Sequence, residues 1–158
     1  MKRALFLDRD GVINHDPGDY TCSPAEFVFN PGIFEFLQKA IQQDYLLIVV
    51  TNQGGIAKGL YSLETFNAIN QKMLNGFAAE GIEIAEVYYC RHHPDYGNCL
   101  CRKPGSLFFE KAVARFNIDT QASLMIGDRD RDLEAAAAVG VRGVLVACNS
   151  NLNEQQIL

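Results

Sequence analysis

The sequence lacks an excess of positive charge and lacks any long hydrophobic run. Lys and Arg number 14 against 19 Asp and Glu, so the net charge is −5. An acidic chain has no basic field of the kind that holds proteins on nucleic acid. No apolar run approaches the roughly 18 residues of a membrane span, and charged residues follow only four apolar ones in the opening MKRALFLDRDG. We therefore expect a cytoplasmic protein that binds neither nucleic acid nor a membrane.

Internal repeats, low-complexity stretches and linkers are also missing. A chain of 158 residues that is 48% hydrophobic can bury one core but not two ordinary ones. We expect one domain over residues 1–158, acting as a monomer. The segments between the predicted elements leave no room for a separate cap domain, so loops must recognise the substrate.

Five short apolar runs alternate with segments of helical period, which predicts an α/β fold with a parallel sheet and helices on both faces. The predicted strands are Arg3 to Leu7, Leu46 to Val50, Glu86 to Tyr89, Leu124 to Ile126 and Gly143 to Val146.

Four helices are predicted between these strands. The first begins near Asn30-Pro31 and faces the sheet with Ile33, Leu37, Ala40 and Ile41. The second runs from Ser62 to Gly81. The third begins at Ser106 and buries Phe109, Ala112, Val113 and Phe116. The fourth covers residues 132–139 and ends at Gly140.

Polar residues follow three of the predicted strands. Asp8 and Asp10 end the first strand, and side chains two apart on an extended segment point the same way. Taken alone, the pair is equally typical of a solvated turn, because Asp-Gly is a common turn sequence. The second strand runs into TNQGG at residues 51–55, where a hydroxyl, an amide and free backbone N–H groups can bind an oxyanion.

Further acids and a lysine complete this set. The fourth strand runs into GDRDRD at residues 127–132, and Lys103 precedes the third helix. Carboxylates suit Mg²⁺, whereas a lysine and a hydroxyl suit phosphoryl oxygens. Ligands in open α/β sheets bind outside the carboxyl ends of the strands. The pattern predicts a site for a divalent cation and a phosphate.

Four motifs in this order resemble those of haloacid dehalogenase-type phosphatases: DRDGVIN, TNQ, RKP and GDRDRD. The resemblance spans Asp8 to about Val146. It implies a Rossmann-like sheet of strand order 3-2-1-4-5 and catalysis through an aspartyl phosphate.

The resemblance also implies residue roles. Asp8 is the nucleophile, and Asp10 is the acid that protonates the leaving oxygen and then the base for water. Thr51 and Lys103 steady the transferring phosphoryl group. Asp8, Asp128 and the backbone carbonyl of Asp10 bind Mg²⁺, which leaves the Asp10 carboxyl free to hold a proton. For Asp132 two hypotheses stay open: support for Lys103 or Asp128, or an acid in the first turn of a helix.

A second set of candidate ligands lies in the loop CRHHPDYGNCLCRKP. Cys90, His92, Cys99 and Cys101 form a C-x-H-x6-C-x-C pattern, and sulfur with imidazole favours Zn²⁺. Four protein ligands fill a tetrahedron, so the ion is structural. The alternative, cysteines packed as small hydrophobic residues, fits a polar loop poorly. His92 is chosen over His93 because the family's zinc loop has C-x-H at this end.

Within the superfamily the zinc loop, with DRDG and TNQ, looks like the D-glycero-D-manno-heptose 1,7-bisphosphate 7-phosphatases, with histidinol-phosphate phosphatases as close relatives. The resemblance implies that the phosphate of a small metabolite is the substrate. Substrate contacts are expected from Arg9, Asp16, Asp19, Asn52, Gln53, Gly54, Arg102 and Arg129. Two alternatives stay open: hydrolysis of histidinol phosphate, and a zinc-stabilised binding module without catalysis.

Overall fold

A computed structural model describes all 158 residues and centres on one five-stranded sheet. The strands are β1 (Arg3–Leu7), β2 (Tyr45–Asn52), β3 (Glu86–Cys90), β4 (Leu124–Gly127) and β5 (Arg142–Leu145). Their order is β3-β2-β1-β4-β5, and all four neighbouring pairs are parallel. The predicted fold class and strand order are confirmed.

Two helices cover each face of the sheet. They are α1 (Ile33–Gln42), α2 (Leu63–Ala79), α3 (Leu107–Phe116) and α4 (Asp130–Ala137). Alternation along β1 divides the core: Leu5 and Leu7 join the cluster under α1 and α2, whereas Ala4 and Phe6 join the cluster under α3 and α4. Because both faces are covered, the central strands are apolar throughout. No second sheet or helical cap is inserted.

The first helix differs from its prediction. The Asn30 side chain does not cap it but donates to the carbonyl of Val12 at 3.1 Å. The helix begins at Ile33, after Gly32 at φ +76°. Phe36 is buried against the sheet, whereas Ile41 is 38% exposed. The prediction for Ile41 was therefore wrong.

Smaller differences affect the later elements. Val113 and Phe116 are only partly buried, at the margin of the second core cluster. Helix α4 begins two residues earlier than predicted, at Asp130, and β5 covers Arg142–Leu145. Strand β2 continues through Thr51 and Asn52, so these polar residues have a fixed strand backbone. No helix has the length and apolar character needed to cross a membrane.

Candidate active site

A polar cavity opens where the carboxyl ends of the strands meet, and only one of its 14 lining residues is hydrophobic. Asp8 follows β1, Asn52 ends β2 and Asp128 follows β4. The lining contains ten of the predicted site residues: Asp8, Asp10, Asp16, Asp19, Asn52, Gln53, Gly54, Arg102, Asp128 and Arg129. Separate segments of the chain thus form one site, as open α/β sheets commonly do.

A buried lysine lies directly behind Asp8. Lys103 Nζ donates to Asp8 Oδ1 at 2.8 Å and to the Val50 carbonyl at 2.6 Å, and it lies 2.6 Å from Asp132 Oδ1. Burial by itself lowers the pKa of Lys103, but Asp8 and Asp132 outweigh it and raise the pKa above its ordinary value. Lys103 is therefore a permanent cation. Asp132 also accepts from Arg129 N at 3.1 Å in the first turn of α4, so it has both the contact with Lys103 and the helix position that the sequence suggested.

The Asp8 carboxyl group is poised between its two charge states. Burial raises its pKa to about 7; Lys103 opposes this shift and Asp132 adds to it. One further positive charge near the free oxygen would make Asp8 fully anionic at neutral pH. This is a structural reason for a metal cation at the site.

Asp10 has a different environment. Its carboxylate accepts from Arg9 Nη2 at 2.9 Å, Asn14 Nδ2 at 3.0 Å and Gln53 Nε2 at 2.9 Å. Burial alone raises the pKa of Asp10, but Arg9, Asn14 and Gln53 outweigh it and lower the pKa. The family resemblance implies a proton on Asp10, whereas these partners favour the anion. Proton donation by Asp10 then requires a substrate that changes these contacts.

Three predicted residues lie behind the lining. Arg9, Thr51 and Lys103 are each 1% exposed. The Arg9 guanidinium pairs with Asp10 and lies over the Phe66 ring, 5.7 Å from its centroid. The Thr51 hydroxyl accepts from Gln53 Nε2 at 2.9 Å. In this arrangement Arg9 and Thr51 position residues that face the cavity.

The loop that carries Arg102 and Lys103 is tied to the end of β2. Asn52 Nδ2 donates to the Lys103 carbonyl at 3.1 Å, and Lys103 N donates to Asn52 Oδ1 at 3.0 Å. Gly54 allows a close approach, because a Cβ there would lie 2.9 Å from His93 Cδ2 and 3.1 Å from Arg102 Nη1. These contacts fix Arg102 at the cavity wall.

Asp128 has the character of a ligand for a hard cation. Its side chain is 2% exposed, and no N–H or O–H group donates to either carboxylate oxygen. Burial raises its pKa. Carboxylate oxygens of Asp8, Asp128 and Asp132 lie within 4.8 Å of one another. Unpartnered buried carboxylates of this kind fit Mg²⁺, which prefers oxygen ligands.

A second cluster lies in the loop after β3. Ligand atoms of Cys90, His92, Cys99 and Cys101 all lie within 4.8 Å of one another, and the cysteines are free. His92 Nδ1 is 3.4 Å from the sulfur of Cys90 and 3.3 Å from that of Cys101. The loop therefore brings together four ligands that can hold a metal ion.

The neighbouring His93 lies outside this cluster. Its Nδ1 accepts from Asp95 N at 3.2 Å, which caps the short 3-10 helix Pro94–Tyr96. Arg102 Nη1 donates to the His92 carbonyl at 3.2 Å. The cluster thus connects directly to a cation that lines the cavity.

Two residues that organise the site could not be predicted from the sequence. The Tyr61 hydroxyl donates to Gln53 Oε1 at 2.5 Å, so the Gln53 amide turns its NH₂ group towards Asp10. Asn149 accepts from Asp16 N at 2.7 Å and donates to the Asp16 carbonyl at 2.9 Å. Neither residue belongs to a motif. Their roles arise from packing between distant segments, which sequence spacing does not reveal.

Comparisons with known proteins agree with this geometry. The HAD-hydrolase-like family model matches residues 100–156. The D-glycero-beta-D-manno-heptose-1,7-bisphosphate 7-phosphatase of Vibrio cholerae is 43% identical over 98% of this chain and 86% of its own length. The D-glycero-alpha-D-manno-heptose-1,7-bisphosphate 7-phosphatase of Burkholderia mallei is 43% identical over 93% of this chain and 80% of its own.

A solved structure has the same fold. The crystal structure of D,D-heptose 1,7-bisphosphate phosphatase from B. bronchiseptica, complexed with magnesium and phosphate, superposes with a TM-score of 0.84. The two sequences are 37% identical, over 92% of this chain and 80% of that one. Identity at this level over nearly the whole chain, together with the shared fold, means that the chain belongs to the haloacid dehalogenase-like phosphatases, in the family of the D-glycero-D-manno-heptose 1,7-bisphosphate 7-phosphatases.

Proposed function

We propose that this phosphatase removes the 7-phosphate of D-glycero-D-manno-heptose 1,7-bisphosphate through an aspartyl phosphate on Asp8. One observation carries the mechanism: Lys103 holds Asp8 Oδ1 from behind at 2.8 Å, while Asp8 lines the cavity. The second carboxylate oxygen is therefore left for attack on phosphorus. A fixed nucleophile with its own cation is the arrangement that covalent phosphoryl transfer needs.

In the first step an Asp8 oxygen forms a bond to phosphorus as the bond between phosphorus and the sugar oxygen breaks. The leaving sugar oxygen takes a proton from Asp10. Asp10 therefore has to be protonated in the substrate complex, and a phosphate near Gln53, which lines the cavity, can draw that amide donor away from it. Lys103 offsets the charge on Asp8 throughout.

In the second step Asp10, now a carboxylate, takes a proton from water. That water attacks phosphorus and breaks its bond to Asp8, which releases inorganic phosphate and restores the Asp8 carboxylate. The anionic form of Asp10 is the one that Arg9, Asn14 and Gln53 favour. The same contacts therefore support the base role.

Mg²⁺ would be held by Asp8, Asp128 and the backbone carbonyl of Asp10, and when bound it offsets the negative charge that phosphate brings to the acids. The unpartnered oxygens of Asp128 support this assignment.

The substrate assignment rests on charge at the cavity wall. Arg102, Arg129 and Arg131 all line the cavity of an otherwise acidic molecule. A guanidinium grips phosphate through two parallel hydrogen bonds. A second phosphate, remote from the reacting one, would pair with these three arginines. Histidinol phosphate instead carries an ammonium and an imidazole, which these arginines would repel.

The cysteine and histidine cluster is proposed to bind one structural Zn²⁺. Four ligands leave no open position for water, so the ion would hold the loop between β3 and Lys103 in place. We also propose that residues 1–158 form one phosphatase domain that acts as a cytoplasmic monomer.

The test is a panel of phosphorylated metabolites assayed for phosphate release with Mg²⁺. It contains both anomers of the heptose bisphosphate, a heptose monophosphate and histidinol phosphate. We expect kcat/KM for a heptose bisphosphate to exceed that for histidinol phosphate by about 1,000-fold, the scale of two charge-assisted contacts of about 2 kcal/mol each. Phosphorus NMR of the product should show a surviving 1-phosphate. Preference for histidinol phosphate would overturn the substrate assignment.

A further inference from the structure

A thiol that the proposed mechanism does not use lies beside the proposed Mg²⁺ ligands. Cys148 follows β5 and is exposed. Its sulfur and carboxylate oxygens of Asp16 and Asp128 lie within 4.8 Å of one another. One sulfur and two carboxylates form a mixed donor set with access to solvent.

The backbone holds this cluster in place. Asn149 N donates to the Gly11 carbonyl at 2.8 Å, and the Asn149 side chain is bonded to the Asp16 backbone at both ends. Gly11 makes room: a Cβ there would lie 2.5 Å from Asp128 Oδ2 and 2.9 Å from Cys148 Sγ. The glycine at this position, with φ +87°, lets the sulfur and the carboxylate share one space.

Asp128 supplies a second reason to expect a ligand. Its side chain is 2% exposed and no N–H or O–H group donates to either oxygen, although buried carboxylates are normally satisfied. Mg²⁺ accounts for an oxygen ligand but has little affinity for sulfur. A sulfur beside that carboxylate favours a softer ion such as Zn²⁺ or Cd²⁺.

One cation already competes for this space. The Arg129 guanidinium lies 3.6 Å from Asp128 Oδ2 and 4.0 Å from Asp16 Oδ2, but the side chain is 58% exposed. At these distances the contacts are loose, and the exposed side chain can turn into solvent when a metal ion enters.

We propose that Cys148, Asp16 and Asp128 bind a Zn²⁺ or Cd²⁺ ion, and that this ion inhibits the enzyme by taking Asp128 from Mg²⁺. As the metal–sulfur bond forms, the thiol proton leaves to solvent, and water completes the coordination. The inhibition rests on the proposed function, since it assumes that Asp128 serves Mg²⁺. The binding does not.

The binding experiment uses Cd²⁺ with the full chain in three forms: wild type, Cys148→Ser and Cys22→Ser. Cys22 is the matched control, a free cysteine outside both clusters. Bound Cd²⁺ is counted by equilibrium dialysis, and its bond to sulfur is followed by ultraviolet charge-transfer absorption. We expect Cys148→Ser to bind one Cd²⁺ fewer than the other two proteins. Any Cd²⁺ that binds to the cluster of Cys90, His92, Cys99 and Cys101 adds equally to the counts of all three proteins, so it does not affect the difference between them. Equal counts in all three would overturn the site.

The activity experiment titrates buffered Zn²⁺ at fixed Mg²⁺. We expect Cys148→Ser to keep full activity in Mg²⁺ alone and to need at least about 10-fold more Zn²⁺ for half-inhibition, since losing a ligand weakens a metal site at least as much as losing an outer-shell partner does. Raising Mg²⁺ should relieve inhibition of the wild type. Unchanged Zn²⁺ sensitivity in Cys148→Ser would overturn the inhibitory role. If no form turned over the heptose bisphosphate while the difference in Cd²⁺ persisted, the proposed function would fail and the metal site would stand.

Discussion

The two oxygens of the Asp8 carboxyl group have different surroundings. Oδ1 accepts from Lys103 at 2.8 Å, and Asp8 itself faces the cavity. Lys103 also pairs with Asp132, so the lysine stays anchored whichever charge Asp8 carries. Asp8 can therefore become protonated or phosphorylated without displacing Lys103, because Asp132 still holds the lysine.

Replacing Asp8 should separate catalysis from folding. We expect Asp8→Asn to abolish phosphate release, because an amide oxygen is a poor nucleophile. The melting temperature should not fall, since the substitution removes a carboxyl group that burial disfavours in its charged form. Steady-state assays and thermal melts measure the two effects. Asp44→Asn, an exposed aspartate beyond the amino end of β2, is the control. Turnover by Asp8→Asn after deamidation is excluded would contradict the covalent mechanism.

Tyr61 acts one residue further from the reaction. Its hydroxyl fixes the Gln53 amide, whose NH₂ group donates to Asp10 and Thr51. Burial raises the pKa of the Tyr61 phenol, which keeps it protonated as a donor. Without the Tyr61 hydrogen bond, the Gln53 amide can flip and present its oxygen, instead of its NH₂ group, to Asp10.

We expect Tyr61→Phe to lower kcat about fivefold, the scale of one hydrogen bond, and to leave KM within about twofold. A fall in kcat with little change in KM would indicate that Tyr61 positions Asp10, whereas a rise in KM would indicate lost substrate contacts. Tyr96→Phe, at a tyrosine that is 68% exposed, should behave as wild type. An unchanged kcat in Tyr61→Phe would show that Gln53 keeps its orientation without the hydroxyl.

At the scale of elements, strand positions could be predicted because apolar runs in a doubly covered sheet are short and bounded by polar residues. The width of the buried stripe on α1 could not. At 3.6 residues per turn, Ile41 lies about 40° beyond Leu37, at the edge of the stripe, while Phe36 falls within it. Only the actual contact with the sheet decides between them, and it leaves Ile41 exposed.

The site shows the same division. The grouping of Asp8 with Asp128, and that of Cys90, His92, Cys99 and Cys101, could be predicted because these residues follow strands or repeat at ligand spacing. The partners of Asn30 and Asn149 could not, because Asn30 bonds to Val12 and Asn149 bonds to Asp16 across long stretches of chain. Sequence spacing reports local geometry, whereas these amide bonds depend on how distant segments pack.

The loop from Cys90 to Lys103 behaves as one element if a metal ion holds it. We expect Cys101→Ser to lower zinc content and to reduce kcat, because Lys103 lies two residues beyond this ligand and Arg102 bonds to the carbonyl of His92. Metal analysis should find about one zinc per wild-type chain. Cys22→Ser, which changes a cysteine outside the cluster, should keep both zinc and activity. Full activity in zinc-free protein supplied with Mg²⁺ would show that the metal does not position the site.

At the scale of the whole molecule, charge is unevenly distributed. The chain carries a net charge of −5, yet three arginines line the cavity beside its acids. A surface that is acidic overall repels polyanions, while a local group of arginines attracts a small doubly phosphorylated molecule. Specificity then depends on how many anionic groups a substrate presents to the cavity.

Arg102 tests this account, because the end of β2 and the His92 carbonyl fix its position at the wall. We expect Arg102→Ala to lower kcat/KM for heptose bisphosphate by about 30-fold, which corresponds to about 2 kcal/mol for one charge-assisted contact. The loss should shrink to a few-fold for a heptose monophosphate that lacks the remote phosphate. Arg142→Ala, at the opposite end of the sheet, controls for the change in net charge. Equal losses on both substrates would mean that Arg102 contacts the transferring phosphoryl group instead, and no loss on either would remove it from the binding site.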